Sequence, residues 1–166
     1  MSRAVLSIGS NIDDRLAYLQ LAVDGFSPYL ATVSPVFQTP PWGVTEQDPF
    51  LNAILIAEDP AATPADWLAR AQACEQEAGR VRDLRWGPRT LDVDVITVDD
   101  VVSDDPTLTL PHPRAAERAF VLVPWWSADP EATLPGHGSV LELIQKLAPG
   151  EAESVRLKLG LELGAR

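Results

Sequence analysis

The chain has 166 residues, 46% of them hydrophobic, and a formal net charge of −11 at pH 7. That length and apolar content fit one domain over residues 1–166 with a full core. The acidic balance argues against nucleic acid or an anionic membrane as the main partner, since both repel a chain of that sign.

Ala4-Val5-Leu6-Ser7-Ile8 reads as a strand, closed by Gly9-Ser10-Asn11. The run is too short for the core of a signal peptide and far too short to span a bilayer, so a cytoplasmic protein is expected. Asp13 and Asp14 open a helix, where carboxylates favour the positive N-terminus. Leu16, Leu19, Leu21 (or Gln20), Val23 and Phe26 give it an apolar stripe; Gly25, Ser27 and Pro28 end it. Residues 30–37 predict a second strand. Residues 39–49 are Pro-rich and carry Trp42. Loops of that length inside a domain are usually functional. Phe50 to Ala57 is a nearly continuous apolar run, hence a central strand. Asn52 is the polar exception. It either satisfies backbone groups or reads the polar edge of a ligand.

Thr63-Pro64 starts a second helix, with a Thr cap, Pro at the first position and Asp66 at the third. Trp67, Leu68, Ala71, Cys74 and Ala78 follow at helical spacing, and Gly79 predicts the stop. Cys74 is the only cysteine, so no intramolecular disulfide forms and a small core residue is expected. Next come Arg80, Arg82, Arg85 and Arg89, with Trp86 and a Gly87-Pro88 turn and only Asp83 against them. A chain this acidic does not attract polyphosphate by its overall field, so a site for one must be a local positive island. On charge alone, a solvated basic turn fits equally well. The strand from Leu91 to Val98 follows. Its Asp92 and Asp94 share one face, about 7 Å apart, while Leu91, Val93 and Val95 point to a core. Two carboxylates on one face repel unless a cation or solvent separates them. Mg²⁺ suits such a pair, because it takes one or two carboxylates plus substrate phosphates. Forked guanidiniums suit phosphate oxygens. Residues 80–95 therefore read as a meeting place for Mg²⁺ and a polyphosphate.

Asp99-Asp100 predicts a turn into a short hairpin arm at Val101-Val102. Pro111 and Pro113 keep residues 108–114 extended. A lone histidine such as His112 is more often structural, but beside Arg114 and Arg118 a phosphate contact is favoured. Ala115 to Arg118 fits a helical turn; Phe120 to Val123 fits either an edge strand or a continued helix. Trp125-Trp126 is expected to pack on a C-terminal helix capped by Ser139 and running to about Leu147. His137 is expected in a surface turn, and the tail from Glu151 carries no assignment. The order β-α-β-β-α-β with a C-terminal extension implies an α+β, ferredoxin-like antiparallel sheet with helices on one face. Its other face, covered by loops, is the natural cleft.

Four blocks resemble the 6-hydroxymethyl-7,8-dihydropterin pyrophosphokinases of folate biosynthesis. They are residues 8–11; 39–43 with 50–53; 85–94; and 110–114 with 117–122. The third, Arg-Trp-Gly-Pro-Arg-Thr-Leu-Asp-Val-Asp, is nearly diagnostic alone. The resemblance implies transfer of the pyrophosphoryl group of ATP to the pterin hydroxymethyl oxygen, with release of AMP. By the same resemblance Asp92 and Asp94 bind two Mg²⁺ ions, and Arg80 and Arg89 act during transfer. Leu68, Gln72, Glu75, Arg82, Trp86, Val95, Thr109, His112 and Arg118 contact ATP. Thr39, Pro40, Trp42, Phe50, Asn52, Trp86 and Phe120 line the pterin pocket. A flat heteroaromatic needs aromatic faces, and its amide-like edge needs paired donors and acceptors such as one buried Asn supplies. No strong general base stands out, and positioning with electrostatics can carry such a reaction. A monomer is expected.

Two other readings fit less well. A nucleotide-binding module without catalysis would keep the arginines but would not need both aspartates. An RNA-binding domain of this fold needs basic, aromatic strands, which a chain of −11 with aspartates on the strand face lacks.

Overall fold

Side chains alternate across three neighbouring strands, and that alternation builds two cores on one antiparallel sheet. The computed structural model describes residues 2–11, 14–40, 49–81, 91–158 and 163–164. In chain order these form β1 (Arg3–Ser10), α1 (Arg15–Phe26), β2 (Leu30–Val33), β3 (Phe37–Thr39), β4 (Phe50–Glu58), α2 (Pro64–Val81) and β5 (Asp92–Val98). Then come α3 (Ala119–Ala128), β6 (Thr133–Leu134), β7 (Gly138–Ser139), α4 (Val140–Gln145), α5 (Glu151–Ser154) and β8 (Arg156–Leu157). The sheet runs β5-β1-β4-β3-β8, with β2 also on β4, and every pairing is antiparallel. β1 and β4 are central, as the apolar run of β4 predicts.

One face buries Leu6, Ile8, Ala53, Leu55, Val93 and Val95 against Leu19, Val23 and Phe26 of α1 and Trp67, Ala71 and Cys74 of α2. Asp14 caps α1 by accepting from the Ala17 N–H. Thr63 and Asp66 cap α2 reciprocally: Thr63 Oγ1 accepts from Asp66 N at 3.2 Å, and Asp66 Oδ2 accepts from Thr63 N at 2.9 Å. The opposite face buries Val5, Ile54, Ile56 and Ile96 against Val121, Leu122 and Trp125 of α3 and Val140 and Leu143 of α4. Helices therefore lie on both faces, where the sequence predicted one. The C-terminal extension covers half of the face expected to be open. Among the described residues no helix is long and apolar enough to cross a membrane.

Several boundaries differ for physical reasons. The expected strand 30–37 is broken between β2 and β3, where Pro35 has no N–H to donate. Ser34 bridges the gap: its hydroxyl accepts from Ile54 N at 2.8 Å, and its N–H donates to Ile54 O at 2.9 Å. α2 continues past Gly79 to Val81. The hairpin arm at Val101-Val102 does not form. Both valines are exposed with no surface to cover, and Ser103 bridges Leu110 instead. Phe120 to Val123 belongs to helix α3, apolar on all sides because it is sandwiched between sheet and α4. Trp125 packs on α4 as expected, while Trp126 stays exposed. The tail does acquire structure, as α5 and β8.

Trp67 anchors the first core. It is fully buried, lies over Phe26 with ring centroids 6.4 Å apart, and meets the edge of Tyr29 at 5.9 Å. Its indole N–H donates to Ser2 Oγ at 2.8 Å. The Arg70 guanidinium sits 4.1 Å from the Tyr29 centroid and pairs with Asp59 at 2.8 Å. Trp67→Ala should therefore destabilise the chain by about 3–5 kcal/mol. Urea unfolding measures this, and a loss below about 1 kcal/mol would mean the pocket recloses around the deletion.

Candidate active site

The face that α3 and α4 cover only in part changes character along each strand. Going along β1 it presents Val5, then Ser7, then Gly9; β4 presents Ile56, Ile54, then Asn52; β5 presents Ile96, then Asp94 and Asp92. The apolar ends lie under α3. The polar ends are left open and form a cleft of about 1000 Å³. Register sets their order: Gly9 pairs with Asn52 on one side and with Asp92 on the other, and Ser7 pairs with Ile54 and Asp94. Asn52, Gly9 and Asp92 thus form one row across three strands. At the usual interstrand spacing the outer two are about 10 Å apart.

Gly9 is the floor of that row. A Cβ there would stand 2.7 Å from Asn52 Nδ2, inside any tolerable contact. Its absence lets the Asn52 amide lie across the strand. Thr39 Oγ1 donates to Asn52 Oδ1 at 2.8 Å, which fixes the amide so that its NH₂ lies over Gly9. Asn52 and Thr39 are both buried, so the pair is held in a low-dielectric wall. Phe50, Phe120 and Pro40 line the same cleft.

At the other end stand Asp92 and Asp94, half-exposed on the shared face that their spacing predicts, with Leu91, Val93 and Val95 buried behind them. Arg118 Nη1 lies 3.9 Å from Asp94 Oδ2, and its guanidinium is 5.4 Å from the Phe120 ring centroid. Arg114 and Glu117 complete this wall. Glu75 of α2 accepts from Val93 N at 3.1 Å, a hydrogen bond to the backbone between the two aspartates. It ties α2 to the edge strand at the point where the carboxylates project. Hard oxygen donors on one open face suit a small divalent cation that keeps its waters. Among the described residues no third acid, Cys or His joins them to make a closed cage.

His112 reaches this wall from the side. Its N–H donates to Ile96 O at 2.8 Å along the outer edge of β5, and its Nδ1 accepts from Arg114 N at 3.2 Å. Burial holds the imidazole below its ordinary value of 6.5; Asp94 pulls it up, and Arg118 and Arg114 push it further down. The Cys74 thiol is pushed up to about 11 by burial and by the nearby Glu75, so it is an inert core group.

The cleft thus brings together Thr39, Pro40, Phe50, Asn52, Asp92, Asp94, Arg118 and Phe120 among the residues expected from sequence. Leu68, Gln72, Glu75, Val95, Thr109 and His112 lie outside its lining. Val95 faces the α1–α2 core, and Thr109 donates to Asp105 O at 3.1 Å. Trp42, Arg82, Trp86, Arg89 and the Arg80 side chain fall outside the described residues. Sequence reasoning missed Ser7 and the floor role of Gly9; the loss of apolar side chains at every second position of β1 signals a change of character on that face, but the floor role depends on the strands paired on either side. It also missed Glu151, Ser154 and Val155 of the tail, which line the cleft and have no periodic signal.

Comparison with known proteins agrees with this geometry. Residues 5–130 match the family model for 7,8-dihydro-6-hydroxymethylpterin-pyrophosphokinase (HPPK). A curated Mycobacterium leprae protein named 2-amino-4-hydroxy-6-hydroxymethyldihydropteridine pyrophosphokinase is 51% identical over 95% of this chain and 89% of its own length. A protein of the same name from Methylorubrum extorquens is 43% identical over 93% of this chain and 99% of its own. The crystal structure of wild-type Plasmodium falciparum HPPK-DHPS superposes with a TM-score of 0.67 at 13% identity, covering 95% of this chain and 47% of that one. That likeness concerns the fold, a mixed helix and antiparallel-sheet architecture. The chain belongs to the 7,8-dihydro-6-hydroxymethylpterin-pyrophosphokinase family.

Proposed function

We propose that the row Asn52–Gly9–Asp92 is the axis of a two-substrate site, with the pterin at the Asn52 end and the triphosphate of ATP at the Asp92 end. The activity is pyrophosphoryl transfer to 6-hydroxymethyl-7,8-dihydropterin in folate biosynthesis. The observation that carries the site reading is the register. It sets a neutral, amide-reading wall about 10 Å from a carboxylate pair, with a side-chain-free floor between them.

The chemistry divides along that axis. The heterocycle stacks between Phe50 and Phe120, and its amide-like edge meets the Asn52 NH₂ that Thr39 orients. The hydroxymethyl group then projects over Gly9 towards the aspartates. Its oxygen attacks the β-phosphorus. The bond from that phosphorus to the oxygen bridging the α-phosphorus breaks, AMP leaves with the bridging oxygen, and the hydroxyl proton is released. Asp92 and Asp94 would hold Mg²⁺, two ions by the family resemblance, whose charge would offset that of the phosphates. Arg118 stands ready for the triphosphate, as its neighbour Asp94 would then share it with the ligand. By resemblance, Arg80 and Arg89 act on the transferring group, and Leu68, Gln72, Glu75, Arg82, Trp86, Val95, Thr109 and His112 serve the nucleotide. Alignment and electrostatic stabilisation account for the rate without a strong base.

The ferredoxin-like reading is supported by the strand order, with β1 and β4 central, β5 on one flank and β2 and β3 on the other. Two cores sharing one sheet support a single domain over residues 1–166. A cytoplasmic monomer goes with this reading; light scattering tests the oligomeric state. The activity itself is tested by AMP formation from ATP, Mg²⁺ and the hydroxymethyl-dihydropterin.

Three outcomes follow for the site. Asp94→Ala should lower kcat on the order of 10²-fold or more while the domain stays folded, since the carboxylate serves charge in the cleft rather than packing. Near-normal turnover at saturating Mg²⁺ would contradict this. Asn52→Ala should weaken pterin binding by about 1–3 kcal/mol for each group left unpaired and spare the ATP analogue in calorimetry. Equal losses for both ligands would make Asn52 structural. For His112 the lowered folded pKa means that the unfolded chain binds the proton more readily. The neutral ring's contribution to stability is therefore complete above about pH 6.5 and lost as pH falls through the folded value. A triphosphate would reverse the shift. The NMR titration midpoint of the His112 ring should lie below 6.5 in the free protein and rise with a non-hydrolysable ATP analogue. An unmoved midpoint would remove His112 from the nucleotide site.

A further inference from the structure

We propose that the C-terminal segment α5–β8 is a wall of the pterin subsite, with Val155 as a substrate-contacting residue that sets how tightly the heterocycle is enclosed. The inference rests on the assignment of that subsite to the Asn52 end of the cleft. The segment lies beyond residues 5–130, where the family model matches.

The placement follows from strand pairing. β8 adds to the free edge of β3: Arg156 lies opposite Gln38 and Leu157 opposite Phe37, and Lys158 N donates to Val36 O at 2.9 Å. Carried back one residue, the antiparallel register brings Val155 to Thr39. Thr39 is the residue that orients the Asn52 amide. Val155 is 7% exposed, as is Thr39, and both line the cleft. The turn leading in is satisfied within itself. Gly150 takes a left-handed conformation with φ of 88°, Ser154 N donates to Gly150 O, and Ser154 Oγ donates to Glu151 O at 2.6 Å. Ser154 is thus engaged locally, and Val155 is the apolar contact that the segment offers. α5 also packs on α3, which carries Phe120. The subsite is then enclosed from three elements: Phe50 of β4, Phe120 of α3 and Val155 after α5. Glu151, exposed at the rim, adds a carboxylate that repels phosphate and leaves this end to a neutral ring.

The role separates from simple stability through the two substrates. Val155→Ala removes the contact and keeps the backbone. Lys158→Pro removes the N–H that pins β8 to Val36, at an exposed position where the preceding residue is already extended. Each variant should raise the KM and calorimetric Kd of the pterin on the order of tenfold, as expected for a few lost apolar contacts, and leave those of ATP within about twofold. Asn52→Ala is measured in parallel. If it weakens the pterin while both segment variants bind it normally, the wall does not exist and this inference is wrong. Parallel loss of both substrates with a lowered Tm makes the segment merely structural, which also overturns it. If Asn52→Ala itself spares the pterin, the underlying subsite assignment has failed instead.

Discussion

Everything in this molecule depends on one face of three strands being used twice. Period-two alternation gives β1, β4 and β5 one face each for the α1–α2 core, and that demand is met along their whole length. The second face is divided. Val5, Ile54, Ile56 and Ile96 bury themselves under α3 and α4, and the positions two and four residues further along the same strands carry Ser7, Gly9, Asn52, Asp92 and Asp94. The polar half could not hold its geometry alone, since crowded carboxylates and a side-chain-free glycine contribute nothing to packing. It is held because the same backbones are clamped on one face throughout and on the other for half their length. A site built on strands in this way is more sharply positioned than one built on loops.

Charge follows the same division. The chain carries −11 overall, yet must accept a triphosphate. Described cations near the cleft, Arg114 and Arg118, stand on the α3 side, against the aspartates of β5. Arg118 already faces Asp94 at 3.9 Å and Phe120 at 5.4 Å, so one guanidinium touches the side chains assigned to both substrates. The Asp94–Arg118 pair is partly solvated and adds little to stability. In the proposed site its value would lie in readiness, because a metal could take the carboxylate and a phosphate the guanidinium without either charge being left buried and alone.

The strands and helices of the first core are legible in the sequence, because they have the periodicities of two and 3.6 that local pattern reading detects. Asp92 and Asp94 are legible for the same reason, since a strand forces i and i+2 onto one face. Asn52 stands out as one polar residue in an apolar run. What escapes the pattern is whatever depends on a distant partner. Pro35 splits a strand that propensity would continue, and only the reach of the Ser34 hydroxyl to Ile54 keeps the sheet paired there. α3 has no polar face, so its sequence fits strand or helix equally. Its state is decided by a sheet face and α4, which are built from segments far away in the chain. The role of Gly9 is visible only when its neighbours across two strands are known.

The last such case is the tail. Residues 151–158 show no amphipathic period, and α5 has four residues, too few to be stable in isolation. They are ordered by the edge of β3, whose unpaired N–H and C=O groups would otherwise be open to another chain. Covering that edge and closing the cleft are therefore one structural event. A wall made this way differs from one made by a central strand, because it can be altered without disturbing either core. Phe50 belongs to the central strand β4 and Phe120 to α3, which packs on the sheet, and both can change little. Val155 sits on a segment attached through one edge, so a different residue there reshapes the pocket while the Asn52–Gly9–Asp92 row stays in register. Variation in how tightly the heterocycle is enclosed should accordingly concentrate in this segment, and the chemistry of transfer in the strands beneath it.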